Sequence, residues 1–537
     1  MIDGGKAVGR EGGRDGKGGK DGKGGKVPGS GRSVRRLGRS ILTVLTAFTA
    51  LTVLPPYRPT ATAQSLPHRL DALLDAPPFD RQLWGVALMD DRGHLLFGRN
   101  ERRLFTPASN TKLVVSIVAS ALLSPDWKVR TSLYGAGPVV KGALQGDLVL
   151  YGRGDPTMSR RCYATDTTAA GVCDPDSFAR LRLLADSLKA RGIRQINGDL
   201  VGDGSYFEPT MVRSQWELFD LNWWYAAPVS GLAFNDNSVD FTWQPGLAPG
   251  MPVTITMQPD LGDVSFENRT VTTPAGGVTD LPDRFFRVPG TLQIWAEGGA
   301  AVDHPPGTES FALPDPNLYT ARALRQVLLE AGISIAGTTR STTDSALYGR
   351  VRAGAPLAEV SSRPLRDWIF PILNTSQNLF AEMLLKQLGK QFGKAGSWEE
   401  GLAVERRFLI DSVRVDSTEF ALVDGSGLAG GNLISPHAFT QLLRYIRSHP
   451  RYSTFVPGLP VAGTKGTLRT HFEGTPLARR VRAKSGSIEG VNTLSGYIEP
   501  ANGKVLIFSI QANHHVQTTK TILAAIDNLV LEMAKKQ

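Results

Sequence analysis

From Ser109 to about Leu123 the chain reads as a helix that, past its first turn, is apolar on every side. Leu113, Val114, Ile117, Ala121 and Leu122 spread around the axis, Thr106-Pro107-Ala108 leads in, and Ser124-Pro125 ends the run. A helix with no polar face belongs in the middle of a core, so other layers must pack around it. The chain has 537 residues, too many for one ordinary core, and two or more domains are expected.

The first 63 residues read as a leader. Residues 1–40 hold eleven Lys/Arg against Asp3, Glu11, Asp15 and Asp21, so most of the formal charge of +10 belongs to this segment. That argues against nucleic-acid binding by the remainder. A basic stretch ending in Arg35, Arg36 and Arg39 precedes the apolar run Ile41 to Leu54. Ala61-Thr62-Ala63 then supplies the small residues that a signal peptidase reads, with cleavage expected before Gln64. The run falls short of the roughly 20 residues of a membrane span, and Pro55-Pro56 stops it; a retained anchor is the alternative. The Gly/Lys/Asp repeats of residues 4–26 are low-complexity. An exported protein, in the periplasm or at the envelope exterior, is the expectation. There the two cysteines, Cys162 and Cys173, are expected to close a short local disulfide. No CxxC, HExxH or cluster of His ligands occurs, and neither a metal nor a cofactor is expected.

Composition divides the rest. Trp84–Met89 and His94–Gly98 predict a hairpin turned at Asp90–Gly93. From Val129 to about Tyr348 the chain is rich in Gly, Pro and Asp with short strand-like runs, Asp147–Tyr151, Val239–Trp243 and Val253–Met257 among them. The helical segments Phe178–Ala190 and Leu318–Ala331 interrupt it. This predicts a β-rich insert of one or two subdomains at 129–347, between the two halves of a catalytic domain at 64–128 and 348–537. Helices are expected at Leu365–Phe370, Leu379–Phe392, Ser397–Ile410 and Pro436–Ser448. Strands are expected at Arg480–Lys484, Leu494–Glu499 and Val505–Ala512, and an amphipathic helix at Thr519–Ala534. That last helix is expected to pack on the strands before it, since its polar face is not markedly basic; attachment to a membrane surface is the alternative.

Three motifs carry chemistry, and each occurs once. Ser109-Asn110-Thr111-Lys112 is the only Ser-x-x-Lys. Residues three apart share a helix face, so Lys112 can reach the Ser109 hydroxyl, and burial would lower its pKa until it can accept the serine proton. The helix start aims backbone N–H groups at developing negative charge. Ser376-Gln377-Asn378 is the only Ser-x-Asn; alone, it could be a helix cap. Lys484-Ser485-Gly486 is the only Lys-[Ser/Thr]-Gly, and Ser487 follows it. Gly486 would let a substrate backbone lie against an edge strand, while Lys484 and Ser485 offer charge and a hydroxyl to a carboxylate.

This ordered set resembles that of penicillin-binding proteins and class A β-lactamases. Pro107–Lys112, Gly154-Asp-Pro-Thr157, Asp424-Gly-Ser-Gly-Leu428, Gly466-Thr-Leu468 and Gly474–Ser487 narrow the likeness. They resemble the D-alanyl-D-alanine carboxypeptidase/endopeptidase family of the penicillin-binding protein 4 type, over about residues 70–535. The resemblance implies an α/β (α+β) fold: a penicillin-binding, transpeptidase-like domain with an antiparallel sheet flanked by helices, interrupted by the insert. It implies acyl transfer on peptidoglycan peptides through a Ser109 acyl-enzyme, with β-lactams acylating the same serine. Lys112 would be the base and Ser376 would relay its proton to the leaving amine. Asn378 would hold Lys112 and the substrate amide, and Lys484 and Ser485 would bind the terminal carboxylate. The backbone N–H groups of Ser109 and Ser487 would form the oxyanion hole. Ser485 stands where this family usually has Thr.

Several other stretches receive plainer readings. Asp424-Gly425-Ser426-Gly427 lacks the glycines of a nucleophile elbow and reads as a tight turn that could border the cleft. Trp223-Trp224-Tyr225 reads as a core or inter-domain cluster, and Arg479, Arg480 and Arg482 as a solvated strand face. Two rival functions remain: a secreted β-lactamase, against which the long insert argues, and a non-catalytic cell-wall-binding protein.

Overall fold

The computed structural model describes residues 64–159, 161, 176–288, 290–500 and 503–535; the leader, Cys162 and Cys173 lie outside them. Both ends of the described chain meet in one five-stranded antiparallel sheet. Leu83–Asp90 and Leu95–Arg99 form the expected hairpin, and the Asp90 carboxylate accepts the backbone N–H groups of Arg92 and His94 at 3.0 and 2.8 Å. Leu83–Asp90 then pairs with Leu506–Asn513, which is followed across the sheet by Val491–Ile498 and finally by Val481–Ile488 at the edge.

Strand periodicity explains how this sheet is covered. Leu88, Ile498 and Phe508 join an apolar cluster with Leu70 and Leu74 from the helix Leu66–Leu74 and with Ile522, Ile526 and Leu529 from the helix Thr519–Ala534. Their chain neighbours Met89, Tyr497 and Ile507 join a separate, helical core. Successive side chains on a strand point to opposite faces, so the two clusters lie on opposite sides of the sheet. The last helix thus buries its apolar stripe on the strands before it.

The helical core is built from Lys112–Leu122, Leu365–Asn374, Asn378–Phe392, Trp398–Phe408 and Pro436–Arg447. Every residue from Lys112 to Ser120 is buried, as the all-round apolar pattern requires. Each Leu, Val or Ile so enclosed contributes about 1.5–3 kcal/mol of transfer free energy. The helix begins later than the sequence implied. Ala108–Thr111 is a 3-10 turn, entered through Ala108 at a left-handed φ of 47°.

The chain between Arg130 and Ser361 forms further sheets. A five-stranded mixed sheet runs in the order Thr339–Thr342, Leu200–Asp203, Leu148–Gly152, Arg130–Gly135 and Ala358–Ser361. The helices Ala179–Ala190 and Pro316–Glu330 share its apolar cluster. Two three-stranded sheets follow, one of Thr254–Gln258, Ser238–Gln244 and Gly307–Ala312, the other of Ser265–Thr273, Gln293–Ala301 and Phe285–Arg287. Ala358–Ser361 lies past the expected end of the insert at 347, yet it pairs with Arg130–Gly135. The chain therefore leaves for these sheets and returns from them through neighbouring strands.

Candidate active site

The 3-10 turn places Ser109, half-buried, directly before the central helix, and Lys112 one turn on. Lys112 is fully buried and its three ammonium donors have three acceptors: Ser109 Oγ at 2.9 Å, Asn378 Oδ1 at 2.6 Å and the Ser426 carbonyl at 2.7 Å. Burial pushes its pKa down to about 7, against the pull of Asp424 and Glu382, which favour the charged form. Burial thus brings the free amine within reach near neutral pH, beside the Ser109 hydroxyl.

The second motif is brought to this pair by the start of the helix Asn378–Phe392. Asn378 also donates from Nδ2 to the Tyr225 carbonyl at 2.7 Å, so its amide is held from both sides. Ser376 sits just before the helix with φ of 63°, a left-handed conformation that costs a non-glycine residue about 1–3 kcal/mol. Its hydroxyl accepts from Lys484 Nζ at 3.0 Å, which joins the second motif to the third.

Lys484, Ser485, Gly486 and Ser487 lie on the edge strand Val481–Ile488. Lys484 is buried and also donates to the Ser485 carbonyl at 2.6 Å, while Ser485 Oγ donates to Thr467 Oγ1 at 2.8 Å. Ser487 is exposed, its Oγ accepting from Asn492 Nδ2 at 2.9 Å. Burial first, and then the charge on Lys112, hold the Lys484 ammonium well below its ordinary pKa. Gly486 is where the strand meets the nucleophile turn. A Cβ there would lie 2.9 Å from the Ser109 backbone nitrogen, 2.6 Å from the Pro107 carbonyl oxygen and 2.4 Å from Thr493 Oγ1. Only glycine keeps the space beside the Ser109 N–H open.

Two carboxylates outside the three catalytic motifs support the site from beneath. Glu382, one helical turn after Asn378, accepts the backbone N–H groups of Ser426 at 2.7 Å and Gly425 at 3.1 Å, and Trp398 Nε1 at 2.7 Å. Asp424 accepts from the Gly427 and Ala429 backbones at 2.7 and 2.8 Å. Together they clamp the turn whose Ser426 carbonyl holds Lys112. Burial, and then the charge on Asp424, push the Glu382 carboxyl up. The turn packs so closely on the nucleophile that a Cβ on Gly427 would be 1.8 Å from the Ala108 carbonyl oxygen. The expected tight turn thus borders the site. The i,i+4 spacing of Asn378 and Glu382 was the available sequence signal.

Of the stretches read more plainly, Trp223 packs against Phe311 with ring centroids 4.8 Å apart, while Tyr225 reaches the site only through its carbonyl. Arg479 and Arg480 are exposed and Arg482 is half-buried. Among the described residues no helix is long and apolar enough to cross a membrane.

Comparison with known proteins agrees with this arrangement. The family described as D-Ala-D-Ala carboxypeptidase 3 (S13) matches residues 66–533. The chain is 30% identical over 483 residues to a D-alanyl-D-alanine carboxypeptidase of Actinomadura sp. strain R39, covering 87% of this chain and 84% of that protein. It is 26% identical over 427 residues to the carboxypeptidase DacB of Haemophilus influenzae, covering 79% and 83%. The solved structure of penicillin-binding protein 4 (dacB) from H. influenzae superposes with a TM-score of 0.72 at 23% identity, covering 87% of this chain and 99% of that one. That likeness shows the expected penicillin-binding, transpeptidase-like fold with additional domains.

Proposed function

Since the chain belongs to the D-Ala-D-Ala carboxypeptidase 3 (S13) family, we propose that Ser109 is the nucleophile of a serine-type D-Ala-D-Ala carboxypeptidase acting on peptidoglycan stem peptides. The observation that carries this assignment is the buried Lys112, 2.9 Å from Ser109 Oγ and fixed by Asn378 and Ser426.

Lys112 as free amine takes the Ser109 proton while Oγ bonds to the carbonyl carbon between two D-alanines. The oxyanion that forms points at the backbone N–H groups of Ser109 and Ser487 beside Gly486. Ser376 passes the proton to the leaving amine as the C–N bond breaks, releasing D-alanine. Asn378 keeps Lys112 aligned and meets the substrate amide, and Lys484 with Ser485 receives the terminal carboxylate. Water then attacks the acyl-enzyme, with the proton transfers reversed. The same chemistry opens a D-alanyl cross-link when the leaving amine belongs to a neighbouring peptide. A β-lactam presents a strained amide to the same Ser109. These substrates, and the leader expected from the sequence, support a role in the cell envelope.

The decisive experiment pairs D-alanine release from a pentapeptide with labelling by fluorescent penicillin, mapped to the Ser109 peptide. Wild type is expected to show both and Ser109→Ala neither. A wild type that takes no label and cleaves no peptide would favour the non-catalytic wall-binding alternative. Rapid turnover of penicillin with no peptide cleaved would favour a β-lactamase.

A further inference from the structure

The second motif is held by residues far outside the catalytic sheet. Asn235, Asp236 and Asn237 lie at the entrance to the strand Ser238–Gln244, in the β-rich region, and all three are buried. Their φ values are 49°, 56° and 53°, three left-handed residues in succession and none of them glycine. Such a turn persists only where its surroundings over-determine it. Here Asn235 Nδ2 donates to the Ser238 carbonyl at 2.9 Å, and Asn237 Nδ2 to the Pro228 carbonyl at 2.8 Å. Asn237 Oδ1 accepts the Phe234 N–H at 3.1 Å.

The result is to aim the Asp236 carboxylate at the catalytic side. Asp236 Oδ2 accepts from Gln377 Nε2 at 2.7 Å, and the buried Gln377 accepts the Leu379 N–H at 3.0 Å through Oε1. Gln377 stands between Ser376, itself left-handed, and Asn378. The helix 378–392 therefore starts, and Ser376 turns back toward Lys484, around a side chain fixed by the β-rich region. The same region supplies the Tyr225 carbonyl that holds Asn378.

We infer that Asp236 is a positioning residue for the reaction, acting through Gln377 to set Ser376 and Asn378, so that the β-rich region forms part of the catalytic apparatus. This rests on the function proposed above. It is tested by exchanging the polarity of the pair in the full chain. Gln377→Glu keeps the cap on Leu379 but sets two carboxylates face to face. Its kcat for D-alanine release and its rate of penicillin acylation are expected to fall about a hundredfold, with KM little changed, because misplacing a catalytic group by an ångström costs about that much. Asp236→Asn leaves an amide oxygen for Gln377 but breaks the ion pair with Arg161 Nη1 at 2.8 Å, so it should lower the thermal midpoint while kcat of the folded protein stays within about fivefold of wild type. The double variant Asp236→Asn/Gln377→Glu restores one donor and one acceptor. It should recover at least about tenfold of the loss at a thermal midpoint like that of Gln377→Glu.

Gln377→Met covers the case in which Gln377→Glu does not fold, and should lose kcat without losing penicillin-labelled protein at long exposure. A wild-type rate in Gln377→Glu or Gln377→Met would overturn the inference. So would a double variant that folds and recovers nothing. Wild type inert to both peptide and penicillin would overturn the proposed function and this inference with it, whereas an active wild type with unaffected variants defeats the inference alone.

Discussion

Two buried lysines face the same cleft from different elements, and their surroundings differ. Lys112, on the central helix, has three protein acceptors, with Asp424 and Glu382 behind it favouring its charged form. Lys484, on the edge strand, has two, Ser376 Oγ and the Ser485 carbonyl, and the nearby charge acting on it is that of Lys112. One lysine has its electrostatic partners built in and can cycle between amine and ammonium. Burial and that neighbouring charge disfavour the ammonium form of the other until an anion arrives. In the proposed mechanism, identical side chains are thus divided into a base and a carboxylate receptor by what lies beside them.

Removing the base should have the largest effect. Lys112→Met is expected to lower the rate of penicillin acylation by about 10³-fold, within the span that positioned proton transfer supplies. Stopped-flow labelling would measure it, and a loss under tenfold would break the assignment. In wild type the same rate should fall about tenfold per pH unit below about 7, as Lys112 takes up its proton. Next is Lys484→Met, expected to cost about a hundredfold in kcat/KM. The cost should shrink for a substrate whose terminal carboxylate is esterified, since no anion is then left to receive. An equal loss on both substrates would mean that Lys484 is not the carboxylate receptor.

Asp424→Asn sharpens the contrast from the other side. Removing a negative neighbour disfavours the Lys112 ammonium, so its pKa drops below about 7 and the acid limb of the pH–rate profile moves to lower pH. An unmoved or raised limb would contradict the account. The overall rate should also fall, because asparagine keeps only one of the two oxygens that accept from Gly427 and Ala429. The smallest effect is expected from Ser485→Thr. The hydroxyl that meets Thr467 is retained, and kcat/KM should stay within about threefold while the preference among β-lactams changes. A tenfold loss would show that the smaller serine is required here.

What was legible in the sequence follows from the range of the forces involved. Pro436–Arg447 was readable because Ser435 caps it and Pro436 opens it, both local effects. Ser109 and Lys112 were readable together because one helical turn fixes their spacing. Ser265–Thr273 and Gln293–Ala301 were missed. They pair in parallel, the first strand is largely exposed, and neither shows a clean apolar alternation. Glu382, Asp424 and Asp236 were missed as site residues for another reason. Glu382 and Asp236 act through contacts with distant stretches of chain, while Asp424 caps its own turn at Gly427 and Ala429, which reads in sequence as a turn and not as a site.

The sheet that carries Lys484 has a consequence for the timing of synthesis. Its strand Leu83–Asp90 is made long before Leu506–Asn513, the neighbour with which it pairs. Until that neighbour is made, the edge strand bearing Gly486 and the strand it pairs with are held beside Ser109 only by their own contacts, such as Thr493 Oγ1 to the Pro107 carbonyl, and closing so long a loop is slow. A growing chain therefore holds Ser109 well before the strand that carries Lys484 and Gly486 is made. On the proposed mechanism, activity therefore waits for this sheet to close.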